Sequence, residues 1–192
     1  MSSIPAEVTP AILPKRRQTV VGAALAAGAS AMVVVLLVGN YLEIRSASDN
    51  FFDGVSMPLA QPNVMFWGLG LSVLSIQWAV WAIARDERSQ AYWAMAITML
   101  LGLSYLNSTW YLMSQSELAV GVQPEAGATF AVVGAHVAMV IVALAMVAVM
   151  AFRTVGGQFS SRYPDGWSAA AVYWHTMVGA YVLVWYAVYV TK

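Results

Sequence analysis

Of the side chains that commonly bind metals or move protons, only two histidines, His136 and His175, lie within the long apolar segments of this 192-residue chain. No Asp, Glu, Lys or Arg falls in the middle of any of those segments. Two imidazoles on different helices could hold a haem iron axially or contribute to a copper or iron site. The plainer reading is a neutral imidazole hydrogen-bonded to a neighbouring helix or to a lipid headgroup. Counted from their segment starts, both histidines lie about a third of the way in. The segments run in opposite directions, which predicts the two rings on opposite sides of a bilayer and argues against one shared metal site.

Two carboxamides, Gln77 and Asn107, come next. An amide in hydrocarbon needs a hydrogen-bond partner, and an interhelical one is the expected solution. Ser30, Ser72, Ser75, Thr98, Ser104, Ser108, Thr109 and Thr176 can return their hydroxyls to carbonyls of the preceding turn. No paired nucleophile and base, phosphate-binding loop or metal-ligand cluster stands out. The chain has no cysteine, which excludes disulfides, iron–sulfur clusters and thiolate metal sites. These residues favour a non-catalytic membrane subunit over an enzyme. The absence of midplane carboxylates disfavours a small transporter, because ionisable groups retained at that depth are normally functional.

The elements that must position these groups are five long apolar segments, at about 20–42, 64–84, 91–113, 129–152 and 167–190. Each is long enough to cross a hydrocarbon core of roughly 30 Å at about 1.5 Å per residue. Their length and continuity predict helices, because a membrane strand is shorter and alternates in polarity. Composition agrees: 60% of residues are hydrophobic and 9% charged, too few charges to cover a soluble surface. Residues 1–19 read as a cytoplasmic tail, with the basic run Lys15-Arg16-Arg17, and 20–192 as a single five-helix membrane domain; no cleavable signal is evident. With the N-terminus inside, the cytoplasmic side receives Lys15, Arg16, Arg17, Arg85, Arg88, Arg153 and Arg162, and the outer side only Arg45 and Lys192.

The tight polar turn Arg85-Asp86-Glu87-Arg88 predicts antiparallel packing of the second and third helices. The connection from Ser46 to Gln61, with Phe51, Phe52 and Met57, could lie on the membrane interface. Gly22, Ala26 and Ser30 share a face of the first helix and would permit close contact. The fifth helix is crowded with aromatics, among them Trp167, Tyr173, Trp174, Tyr181, Trp185 and Tyr189. These serve as interfacial anchors near the rims or pack against another subunit. A net charge of zero gives no reason to expect a nucleic-acid partner.

Several motifs in order resemble subunit III of the haem–copper oxidases, in its short five-helix form. They are Tyr41-Leu42-Glu43-Ile44-Arg45, Pro62-Asn63 with Ser75 and Gln77-Trp78-Ala79, and Leu101-Gly102-Leu103-Ser104-Tyr105-Leu106. Thr129-Phe130 with Gly134 and His136-Val137 follow, then Gly157-Gln158-Phe159-Ser160 and Ala170-Ala171-Val172-Tyr173-Trp174-His175. The chain departs from the family where an acidic residue or histidine is usual, at Ala31, Leu112, Val133 and Val178.

The resemblance implies an all-α membrane protein, a five-helix bundle that binds no haem or copper itself. It implies packing against the catalytic subunit I of a terminal oxidase and other subunits of the complex, in the cell's inner (plasma) membrane. Electron donor and sister complex stay open: a nitric oxide reductase, a quinol-linked oxidase or another oxygen-handling complex are alternatives, as is an independent haem-binding membrane protein. A structural phospholipid is implied, in a cleft walled by helices one and two on one side and three to five on the other. His136, His175, Asn107, Gln77, Ser30, Trp174 and Tyr173 would then be lipid-headgroup or interhelix contacts. No catalytic residue or metal ligand is expected.

Overall fold

The computed structural model describes residues 17–48, 58–116, 118, 124–158 and 164–191. Five helices follow one another: α1 (Gln18–Ser46), α2 (Ala60–Ala84), α3 (Arg88–Gln115), α4 (Pro124–Val155) and α5 (Asp165–Val184), the last continuing as a π-helical turn over Trp185–Val190. Lys15, Arg16, the connection around Phe51, Phe52 and Met57, Glu117, Phe159, Ser160, Arg162 and Lys192 lie outside the described residues.

Among the described residues α1, α2, α4 and α5 with its π-turn are long and apolar enough to cross a membrane. α3, at 28 residues, has the length but is less apolar, because Ser104, Asn107, Ser108, Thr109, Ser114 and Gln115 crowd its second half. It nevertheless spans the same thickness as α2. Thr109 Oγ1 meets Met65 Sδ at 3.5 Å, Ser75 and Thr98 hydroxyls meet at 2.7 Å, and Trp78 Nε1 donates to Gln90 Oε1 at 3.0 Å. One residue number rises as the other falls along the pair, which is the antiparallel arrangement the short turn demands.

That turn is built by its backbone. Glu87 N–H reaches back to Ala82 O at 2.9 Å and Asp86 N–H to Ile83 O at 3.1 Å, the paired bonds of a Schellman stop. Asp86 takes the left-handed conformation the stop requires (φ 58°), which Asp tolerates better than most residues. α4 ends the same way on Gly157 (φ 74°), with Gln158 N–H bonded to Arg153 O at 3.0 Å.

α5 is the central helix. It packs against α1, α4 and α2, while α2 pairs with α3, α1 also touches α4, and α3 touches α4. The expected grouping of helices one and two against three to five does not occur: α1 belongs with α4 and α5, and α2 with α3. The reason lies in α5, where Ala169, Ala170, Ala171 and Ala180 keep the surface low enough for three neighbours to approach. The aromatics of α5 fill the resulting core. Trp167, Tyr173, Trp174, Tyr181 and Tyr189 are all buried within the chain, so they are not free to pack on another subunit.

The packed face of α1 also differs from expectation. Ala23, Ala27, Val34 and Tyr41 are buried, whereas Gly22 and Ala26 are exposed and a side chain at Gly22 would meet nothing. Gly102 is the real point of close approach. A β-carbon there would lie 2.8 Å from both Leu144 Cδ2 and Trp174 Cη2.

Candidate functional site

Four helices converge on one buried imidazole. His136, from α4, has no exposed surface. Its Nε2 lies 3.1 Å from the main-chain oxygen of Met177 on α5, and its Nδ1 lies 2.8 Å from the hydroxyl of Tyr105 on α3. A carbonyl can only accept, so Nε2 carries the ring proton and Nδ1 accepts from Tyr105. Both nitrogens are therefore used by protein groups. Tyr181 completes the cluster: its ring stands edge-on to Tyr105 at 5.1 Å and 5.3 Å from the imidazole, and its hydroxyl donates to Pro62 O of α2 at 3.1 Å. Pro62 itself lies in the first turn of α2, where its missing N–H leaves no bond unmade.

A second link lies two turns back along the same face of α5. Trp174 Nε1 donates to Ser72 Oγ at 2.8 Å, and Ser72 Oγ lies 2.6 Å from Leu69 O, so the serine accepts from the indole and donates to its own helix. A third joins α1 to α5, where Ser30 Oγ lies 3.0 Å from Tyr173 Oη. Ser30 also donates to Ala26 O at 2.9 Å, which leaves Tyr173 as the donor of the cross-helix bond.

A fourth link closes the far end of the bundle. Thr191 N–H bonds back to Tyr186 O, as a π-turn requires, so the Ala187 carbonyl loses its usual backbone donor. Arg45 Nη1 replaces it at 3.3 Å and also donates to Thr191 Oγ1 at 2.8 Å; that hydroxyl in turn donates to Ala187 O at 2.8 Å.

His175 is half-buried, with Nδ1 hydrogen-bonded to Ala171 O, four residues back, at 2.6 Å. The expectation that the two histidines lie on opposite sides of a bilayer fails, because His136 reaches a carbonyl only two residues beyond His175. They are held apart by helix face, since each ring has its own backbone partner. The structure extends α4 back to Pro124, which moves His136 deeper than a start near 129 would place it. Gln77 and Asn107 are exposed and have no hydrogen-bond partner among the described residues, so neither amide finds one on a neighbouring helix of this chain. Among the described residues no three His, Cys, Asp or Glu side chains gather where they could hold a metal ion.

Sequence reasoning missed Tyr105, the Met177 carbonyl and the Arg45–Thr191 bond. Tyr105 carried a weak signal, three residues from Gly102 on the same face. The Met177 carbonyl carried none, since a main-chain acceptor has no residue type.

The charged ends sort by helix direction. α1, α3 and α5 run one way and α2 and α4 the other, as the cross-helix bonds fix. Arg17, Arg85, Arg88 and Arg153 therefore share one end of the bundle, and Arg45 stands at the opposite end.

A lengthwise bundle of apolar helices, tied internally by single polar contacts, is a multi-pass membrane protein. The profile of the family Cytochrome c oxidase subunit III matches residues 49–192, and the chain belongs to that family. It is 31% identical over 140 residues to Cytochrome c oxidase subunit 3 of Cyprinus carpio and of Danio rerio, an alignment covering 71% of this chain and 51% of each relative. Over the same length it is 30% identical to the subunit of Gadus morhua. The chain thus spans about half the length of the curated relatives it matches.

Proposed function

We propose that this chain is a non-catalytic accessory subunit of a respiratory terminal oxidase, packing against the haem–copper catalytic subunit and stabilising it in the membrane. The family membership carries the reading. The site geometry agrees with it: the buried polar groups join this chain's own helices, and both nitrogens of His136 are spent on Tyr105 and Met177. Haem and copper belong, on this reading, to partner subunits. A haem iron held by His136 would have to displace Tyr105 or the Met177 carbonyl from one ring nitrogen, which disfavours His136 as its ligand.

The arginine-rich end formed by Arg17, Arg85, Arg88 and Arg153 supports a cytoplasmic placement of that end and of residues 1–19, in the inner (plasma) membrane. Residues 20–192 act as one membrane domain. Structural phospholipid is part of the proposal, although not in the cleft first expected, because α1 and α2 do not form a common wall. His175, Gln77 and Asn107 are its outward polar contacts, whereas Ser30, Tyr173, Trp174 and His136 serve contacts between helices.

Purification through a tag on this chain from native membranes in mild detergent tests the reading. Co-purification of a haem–copper catalytic subunit is expected. Co-purification of a nitric oxide reductase subunit instead would move the chain to that sister complex, and a lone pigmentless chain would refute both.

A further inference from the structure

Tyr173 donates to Ser30 Oγ, Tyr181 to Pro62 O, Trp167 to Thr154 Oγ1, Trp174 to Ser72 Oγ and Trp185 to Asn63 Oδ1, at 2.8–3.1 Å. Hydroxyl, amide and carbonyl oxygens accept hydrogen bonds but do not take up a proton near neutrality. Tyr105 differs from these five. Its hydroxyl donates across 2.8 Å to Nδ1 of His136, and a neutral imidazole is a base. The difference matters when an electron is removed. A phenol that loses an electron becomes a strong acid, so its oxidation is easy only where the proton has somewhere to go. Here the proton would cross to Nδ1. The imidazolium so formed has both N–H groups on acceptors, the Tyr105 oxygen and Met177 O at 3.1 Å. These charge-assisted bonds offset part of the cost of a buried cation.

A row of rings joins this buried pair to the outer surface. Trp67 of α2 is 69% exposed, Phe66 stands edge-on to it at 5.6 Å, and Trp185 lies 4.9 Å from Phe66. Tyr181 is one turn back along α5 from Trp185, and its ring lies 5.1 Å from that of Tyr105. Rings this close couple well enough to pass an electron. Trp185 keeps its indole proton in such a passage, because Asn63 Oδ1 is not a base.

We propose that Tyr105 and His136 form a redox-active pair, where an oxidising equivalent that strikes the exposed end of the aromatic row comes to rest as a Tyr105 phenoxyl radical. The oxidant is a lipid peroxyl radical of the surrounding membrane. It takes one electron from Trp67 and one proton from interfacial water, and becomes a hydroperoxide, leaving hydroxide. The electron is returned to Trp67 along the row from Tyr105. As it leaves, the Tyr105 O–H bond breaks and an N–H bond forms at His136 Nδ1. The products are the phenoxyl radical, the imidazolium, the hydroperoxide and hydroxide, which balances one electron and two protons. The pair works the same way whichever catalytic subunit the chain serves.

The test uses the full chain in vesicles of polyunsaturated phosphatidylcholine, with a lipid-soluble azo initiator under air as the source of peroxyl radicals. Frozen samples are read by electron paramagnetic resonance. A tyrosyl radical is expected. With isotopically labelled histidine, its pulsed spectrum should show coupling to an imidazole nitrogen, which marks Tyr105 because His175 bonds to Ala171 O instead. Tyr105→Phe should abolish the coupled signal. His136→Gln keeps an acceptor for Tyr105 and a donor for Met177 O but supplies no base. Its tyrosyl yield should fall roughly tenfold or more while tryptophan emission stays unchanged, an outcome a purely structural histidine would not produce. A radical without nitrogen coupling in the unsubstituted chain, or a yield unchanged in His136→Gln, would overturn the proposal. The labelled spectrum needs no substitution, so it decides the matter even where a variant fails to fold.

Discussion

The hydroxyl of Tyr105 donates to Nδ1 of His136 across 2.8 Å, joining α3 to α4 at a point fully buried in the bundle. The imidazole passes the connection on to α5 through Met177 O. Removing one member therefore leaves the next with an unmet hydrogen bond, so the costs of removing the two do not add.

Tyr105→Phe should destabilise the chain by about 1–2 kcal/mol, because His136 Nδ1 is left buried without a donor. His136→Ala should cost more, about 2–4 kcal/mol, since it adds a cavity beside Tyr181 to the lost bonds. Denaturant titration in detergent micelles, followed by tryptophan emission, measures both. The double substitution should cost less than the sum of the two single ones; strict additivity would show that the pair does not act as a unit.

Gly102→Ala should destabilise by about 1–3 kcal/mol, because the added methyl would sit 2.8 Å from Leu144 Cδ2 and Trp174 Cη2. The leucine tip can move and the buried indole cannot. Leu144→Ala should therefore recover only part of the loss, as read by the same titration. Full recovery would mean that Trp174 is not the obstacle.

Arg45→Met should loosen the end of α5 without unfolding the bundle. The substitution keeps much of the side-chain length but removes the donor to Ala187 O and Thr191 Oγ1. Amide hydrogen exchange across 185–191 is expected to accelerate, while exchange near Trp174 stays unchanged. Unaltered exchange at 185–191 would show that the π-turn does not depend on Arg45.

The chain has no cysteine, so single-cysteine variants report sidedness directly. Asp86→Cys, in the α2–α3 turn at the arginine-rich end, should resist a membrane-impermeant maleimide in intact cells and react after permeabilisation. Labelling in intact cells would reverse the proposed orientation.

The helices were legible because long uncharged runs leave few alternatives, and the antiparallel α2–α3 pair because a four-residue polar turn permits nothing else. The neighbours of α1 were not legible. An apolar helix presents similar faces all round, and Gly22-Ala26-Ser30 looked as suitable as the Ala23-Ala27-Val34 face that packs. His136 was visible as a residue that needed partners. Its partners were not, because one is a main-chain carbonyl and the other is a tyrosine indistinguishable by type from interfacial ones. The depth of the two histidines was misjudged for a local reason: the start of α4 lies in Pro124-Glu125, ahead of the first strongly apolar residues.

The most direct test of the account is the composition of the complex recovered through a tag on this chain from native membranes, read by mass spectrometry and a visible spectrum together. The account predicts a haem–copper catalytic subunit at near-equal amount, with all haem absorbance unaffected by His136→Ala or His175→Ala. Recovery of the chain alone, carrying a haem band that either substitution abolishes, would contradict it.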